Sequence, residues 1–279
     1  MARLPTSLGV LGYFAAWLAP WRSIHRVRAR RSGLLFFVHR ADCIGRHIAK
    51  YGEHEPAVTR FIASHLRAAP PGIVVDVGAN FGWHALHAAR IAGVETVIAF
   101  EPDAFNAWLL ERNAAANGLD NVVVAKQAVG ANSGVARLFL YKRSNLGRHS
   151  LIADTGNGSR LVPLVDLDHA LDQLGFGACP ISLIKVDVEG FEPAVIAGAR
   201  RTLADAAAIV LEFSVERSTA GGLSTGQMVS TLDRLGFAPH TVDAVGEARP
   251  IDVAGLDSVD LGVVDLVWLR RSNGAVAIK

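Results

Sequence analysis

Apolar and polar positions fall in blocks along the chain, and the blocks predict strands alternating with helices. Residues 73–77 are a short apolar run behind Pro70-Pro71-Gly72, the pattern of a buried parallel strand. Residues 84–91, rich in Ala and Leu, predict a helix. The pair recurs as a strand at 96–100, a helix at 105–117 closed by Gly118, and a strand at 122–125. Residues 135–141 alternate and predict an antiparallel strand, followed by a strand at 161–165 and a short helix at 167–174. Strands at 181–186, 207–211 and 263–269 then bracket helices at 192–203 and 225–235. Upstream, 34–38 reads as a strand, and 55–68 is helical with Val58, Phe61, Ile62 and Leu66 on one face. This order predicts an α/β domain whose mostly parallel sheet carries helices on both faces.

The chemistry concentrates where these strands end. Asp76, Gly78 and Gly82 make a D-x-G-x-x-x-G turn around Ala79 and Asn80, between a strand end and a helix start. Glycines there accept positive φ and let a ligand approach the backbone, and open α/β sheets bind ligands outside the carboxyl ends of their strands. Glu101, followed by Pro102, ends the next strand at the spacing where an acidic side chain grips ribose hydroxyls. No G-x-G-x-x-G seats a pyrophosphate, and Asp76 suits a cationic, amino-acid-like tail. S-adenosylmethionine (SAM) has both a ribose and such a tail. Gln127 and Ala128, at the end of the third core strand, are placed to meet its adenine.

Composition narrows the class. With 51% hydrophobic and 19% charged residues the chain buries a core rather than staying disordered. A net charge of +2 makes no case for nucleic acid as a partner. Cys43 and Cys179 are too few for a disulfide framework or a zinc cluster and read as packed thiols in a reducing, cytoplasmic compartment.

The first residues stand apart. Residues 8–21 are apolar and aromatic, too short to span a bilayer. Arg22, Arg26, Arg28, Arg30 and Arg31 follow, with no acidic residue before Asp42. The expectation is a helical arm over 1–33, kinked at Pro20, that lies peripherally on a membrane through residues 8–31; the rival is packing on a second subunit of a homo-oligomer. Residues 34–70 are expected to cap the catalytic core of 71–279, with polar turns at 42–45 and 51–56 within reach of a ligand.

Five stretches together resemble the FkbM family of SAM-dependent methyltransferases: Val75-Asp-Val-Gly-Ala-Asn-Phe-Gly82, Phe100-Glu-Pro102, Asn113-Ala-Ala-Ala-Asn-Gly118, Ile184-Lys-Val-Asp-Val-Glu-Gly190 and Ile209-Val-Leu-Glu-Phe213. The resemblance runs from about 34 to about 269. It implies a class I, Rossmann-like methyltransferase fold, and O-methylation of a hydroxyl on a sugar, polyketide or related compound. The basic, aromatic arm favours a glycan or glycolipid acceptor over a small polyketide-like or lipid hydroxyl, or over SAM binding without catalysis. The resemblance also makes Lys185, Asp187 and Glu189 a signature. Asp187 is the expected base or metal ligand, and a Lys185–Glu189 pair is the expected structural contact. His149, in a polar loop over 144–151 long enough for a lid, is a second candidate base. Zinc has no ligand set here; a hard divalent ion would use Asp187, Glu189 and Glu212.

Overall fold

The computed structural model describes residues 23–220, 222–252, 256 and 262–271. The apolar run at 8–21 and Arg22 lie outside the described residues. The rest of the expected arm is not helical. Ile24, Arg26 and Arg28 alternate with His25 and Val27, and this period-two pattern makes β1 (Ile24–Arg28). It pairs antiparallel with β2 (Leu35–His39), burying Val27 and Ala29 against the core. The described cap thus takes in residues 24–28 as well as those from 34 onward. The polar stretch expected as a turn is α1 (Cys43–Tyr51): Asp42 Oδ2 accepts the Gly45 N–H at 2.8 Å, and Gly52 ends the helix at φ 76°. Next, α2 (Pro56–Ala68) buries the expected Val58, Phe61, Ile62 and Leu66.

The core follows as β3 (Gly72–Val77), α3 (Trp83–Ala89), β4 (Val94–Phe100), α4 (Ala104–Ala116) and β5 (Val122–Ala125). A side sheet interrupts it, with β6 (Ala128–Val129), β7 (Gly134–Phe139) and β8 (Ser159–Val165) in the order β6-β8-β7. The core resumes with α5 (Leu167–Gln173), β9 (Ile181–Val186), α6 (Glu192–Ala197), α7 (Arg200–Asp205) and β10 (Ala208–Phe213). Last come α8 (Val215–Ala220), α9 (Thr225–Arg234), β11 (Phe237–Val242), β12 (Ala248–Pro250) and β13 (Val264–Arg270). The one long helix expected over 192–203 is broken in two at Gly198, where a Cβ would lie 2.0 Å from the Gly130 carbonyl oxygen.

The large sheet runs β12-β11-β13-β10-β9-β3-β4-β5, parallel from β10 to β5 and antiparallel where β13 inserts between β10 and β11. Alternation along β3 sends Ile73, Val75 and Val77 into one apolar layer under α5, α6, α7 and α9, and Val74 into the other, under α2, α3 and α4. This is the class I, Rossmann-like methyltransferase architecture. Phe36, fully buried, stacks on Trp83 with centroids 5.0 Å apart and ties the cap to the second layer; burying such a ring contributes roughly 1.5–3 kcal/mol.

Among the described residues no strand lies outside β2. Two asparagines one helical turn apart on α4 take that place. Asn113 Oδ1 accepts from Phe37 N and its Nδ2 donates to Phe37 O, while Asn117 does the same for Leu35. Residues i and i+4 of a helix thereby match i and i+2 of a strand, which accounts for the Asn113 and Asn117 of the sequence signature.

Candidate active site

Two strand ends meet at the floor of the site. Asp76 and Lys185 are register partners on β3 and β9 and so project to the same face. Gly78 follows at φ 83°, and a Cβ there would fall 1.9 Å from the Asp187 carbonyl oxygen. Glycine is required twice over, by conformation and by contact. Asp76 is 2% exposed, yet neither carboxylate oxygen has a hydrogen-bond partner. Burial raises its pKa, with Lys185 opposing. An unpaired buried carboxylate is costly and fits an incoming cationic group.

Glu101 closes β4 on the other side of that turn. Its Oε2 accepts the Asn80 N–H and its Oε1 the Asp103 N–H, each at 2.8 Å. Burial pushes its pKa up to about 8, with the charge of Asp103 adding and those amide bonds opposing. Asn80 holds a left-handed φ of 52°, and its buried Oδ1 is unpartnered. A cleft of about 530 Å³ runs from Gly78 and Asn80 past Glu101, Pro102, Gln127 and Ala128 to Asp187 and Glu189. The orphaned carboxylate of Asp76, the Gly78 approach and the Glu101 strand end together fit SAM.

Beyond Val186 the chain turns through Asp187-Val188-Glu189-Gly190, and Glu189 is held at φ 57°. Glu192, 1% exposed, fixes this turn by accepting the Val188 and Gly190 N–H groups on Oε1. The expected Lys185–Glu189 pair does not form, because β9 ends at Val186 and Glu189 turns away. Lys185 Nζ instead donates to Asp187 Oδ2 at 2.9 Å. Burial would lower its pKa, but Asp187 and Asp76 outweigh it and keep the ammonium charged. Glu189 pairs with Arg217, which also donates to Glu212 at 2.8 Å. Burial and Asp187 push Glu189 up to about 7 against that pairing, and raise Glu212 as well.

Asp187, Glu189 and Glu212 can offer oxygens within 4.8 Å of one another, the set expected for a hard cation. Lys185 and Arg217 already balance much of that charge, so a divalent ion would compete with both.

A second chamber of about 880 Å³ adjoins the cleft and shares Gly78, Asn80, Gly147, Asp187 and Glu189 with it. Its walls hold His54, Glu55, His84, Arg148, Glu212 and Arg217. Of these, sequence reasoning missed the imidazole pair on one carboxylate. His84 Nε2 donates to Glu55 Oε2 at 2.7 Å, and His54 Nε2 lies 3.2 Å from Glu55 Oε1. Burial works to raise the Glu55 pKa, but those two contacts hold it well below the usual carboxylate range. Glu55 itself sits at a left-handed φ of 41°, a signal that only coordinates reveal.

His149, the second candidate base, is largely buried rather than solvated. Its Nδ1 accepts the Tyr141 N–H at 2.9 Å, which puts the proton of the neutral ring on Nε2, facing Asp103 at 3.9 Å. Burial lowers its pKa. In that tautomer the Nδ1 lone pair is taken by the Tyr141 amide and Nε2 carries the proton, which leaves no lone pair for a substrate proton. Gly82 lines neither hollow; it starts α3 at φ 92° against Leu86 and Leu110. The 144–151 loop is anchored: Leu146 N donates to Asp42 Oδ1 at 2.9 Å, and Asn106 Nδ2 donates to Leu146 O at 3.1 Å. Ala79 is buried beside the second chamber.

A family model described as the methyltransferase FkbM domain matches residues 76–239. No curated protein matches the chain. Among solved structures, the O-methyltransferase from Bacillus cereus in complex with SAH is 13% identical, with 78% of this chain and 83% of that one covered at a TM-score of 0.43. The N-terminal domain of EvdMO1, in the presence of SAH and D-fucose, is also 13% identical, covering 78% and 84% at 0.42. A precorrin-6y C5,15-methyltransferase from Geobacter metallireducens is 13% identical, covering 76% and 88% at 0.41. Among the described residues no helix is long and apolar enough to cross a membrane.

Proposed function

The chain belongs to the FkbM methyltransferase family and is a SAM-dependent methyltransferase, and from that premise we propose that it methylates a hydroxyl on the sugar of a glycan or glycolipid. The observation that carries this reading is the second chamber. It meets the cleft at Asp187 and is walled by carboxylates, imidazoles and guanidinium groups. Such a wall offers paired donors and acceptors to a polyhydroxylated ring, and little to an apolar one.

Bound SAM supplies an electrophilic methyl group. The protein's own part is placement and proton handling. Asp76, on the wall of the adjoining chamber beside Gly78, would hold the ammonium of the amino-acid end, Glu101 the ribose hydroxyls, and Gln127 and Ala128 the adenine side. Asp187, at the junction of the hollows and 27% exposed at its side chain, would accept the proton of the acceptor hydroxyl. Lys185 would stabilise its carboxylate and keep it aimed. Glu189 and Glu212, crosslinked by Arg217, would bind neighbouring hydroxyls, with Glu55 orienting His54 and His84 opposite them. Holding hydroxyl and methyl carbon in line supplies most of the advantage, since methyl transfer needs little acid–base help.

Incubating the protein with methyl-labelled SAM and a cell-envelope glycan fraction tests this. Label should survive mild base and appear in methylated monosaccharides after acid hydrolysis. Label confined to apolar small molecules would replace the sugar acceptor with a polyketide-like or lipid hydroxyl, and base-labile label would mean ester formation instead.

A further inference from the structure

One face outside the site joins aromatic rings to a run of cations. On α4, Trp108 is 39% exposed and stacks on Phe105 with centroids 5.9 Å apart. The Arg112 guanidinium lies 4.1 Å from the Phe37 ring centre and 5.4 Å from that of Trp108. With Ile24 and Arg26 of β1 these side chains line an open groove of about 1250 Å³. Phe105 is shared with a second hollow of about 1450 Å³, whose rim carries Lys142, Arg143 and Arg160 and which reaches the SAM cleft at Leu146 and His149. Among the described residues lining the two hollows the one carboxylate is Asp103, 2% exposed and held by Arg160 at 3.1 Å.

β1 begins at Ile24, a lining residue of this groove, and the sequence before Ser23 includes Leu8, Leu11, Phe14, Trp17, Leu18 and Trp21 without one acidic residue.

We propose that this face is a docking surface for an anionic phospholipid bilayer, with Trp108 at headgroup depth and Arg26, Arg112, Lys142 and Arg143 on lipid phosphates. Aromatic rings with polar edges and cations on apolar stems suit that interface. The surface goes beyond the methyl-transfer reading and does not depend on it. It turns toward the bilayer the hollow that meets the SAM cleft at Leu146 and His149.

The test is co-flotation of the full chain with vesicles of phosphatidylcholine alone or mixed with phosphatidylglycerol. Wild type should float with the anionic vesicles, and less as salt is raised. Each cation on such a surface contributes about fivefold in partition. Reversing two exposed ones in K142E/R143E should therefore cut binding to anionic vesicles by at least tenfold, with the melting temperature and SAM affinity unchanged. Arg112→Glu with Trp108→Ser should do the same from the other hollow; should that pair misfold, the first still decides. Flotation by the K142E/R143E variant equal to wild type would overturn the proposal and leave the residues before Ser23 as the membrane element. Equal binding to neutral and anionic vesicles would overturn it too.

Discussion

Substituting Glu101 by Gln separates what this carboxylate costs the fold from what it does for the ligand. The free protein carries Glu101 buried, with its pKa pushed up from 4.5 to about 8. The folded state therefore holds the proton longer than the unfolded one. Below pH 4.5 both states are protonated and nothing is lost. As pH rises from 4.5 toward 8 the unfolded chain ionises first, and folding loses about 1.4 kcal/mol per pH unit, reaching roughly 5 kcal/mol above pH 8. Gln removes that loss. It also turns an N–H toward one of the two amides, Asn80 or Asp103, that the carboxylate now satisfies, at a cost of about 1–3 kcal/mol. The two effects cross. At pH 5 Glu101→Gln should be less stable than wild type, and at pH 9 more stable by roughly 2–4 kcal/mol. Urea denaturation at pH 5, 7 and 9 measures the difference. Calorimetric titration at pH 9 should show SAM affinity reduced by about 10- to 100-fold, because two ribose hydroxyls lose a charged acceptor. A stability difference that does not change with pH would refute the burial account, and unchanged SAM affinity would remove Glu101 from the ribose site.

Other substitutions probe the remaining parts. Asp187→Asn should lower turnover by about 100-fold or more with SAM binding retained; activity within a few-fold of wild type would make Asp187 structural, and the same assay with a chelator present tests whether a divalent ion is needed. Gly78→Ala puts a Cβ 1.9 Å from the Asp187 carbonyl oxygen at a φ of 83°, so the melting temperature and SAM affinity should fall together, by at least 2–3 kcal/mol in stability; a normal melt would mean the two strand ends part easily. His149→Gln keeps an acceptor near Tyr141, so turnover at saturating substrate should stay within about threefold and its pH profile should not move; a lost limb in that profile would return His149 to the role of base.

The parallel core was legible because its strands are apolar runs, and β3, β4 and β9 are each cut off by a glycine or an acid. Asp76, Glu101 and Asp187 all stand at such ends, and the fold gathers them at one edge. Less legible were elements whose own pattern is short or charged. In β1 the arginines drew attention away from a plain alternation, since only Val27 of its five residues is buried. In α1 the helix is marked by its ends, Asp42 and Gly52, more than by its interior. The His54–Glu55–His84 contacts join residues from the α2 entry and from α3, and no spacing announces them. For His149 only the residue type was legible, and its role depends on which nitrogen meets the Tyr141 amide.

The asparagines of α4 have a consequence for motion. An edge strand ordinarily exchanges its outer amides quickly and offers them to any passing chain. In β2 those of Leu35 and Phe37 are engaged by Asn117 and Asn113, so they should exchange as slowly as amides inside the sheet. Breathing of the cap then requires α4 to move with it, and α4 begins three residues after Glu101, the proposed ribose clamp. Hydrogen exchange across β2 should therefore slow further when SAM binds, a report on the ligand from amides that never touch it.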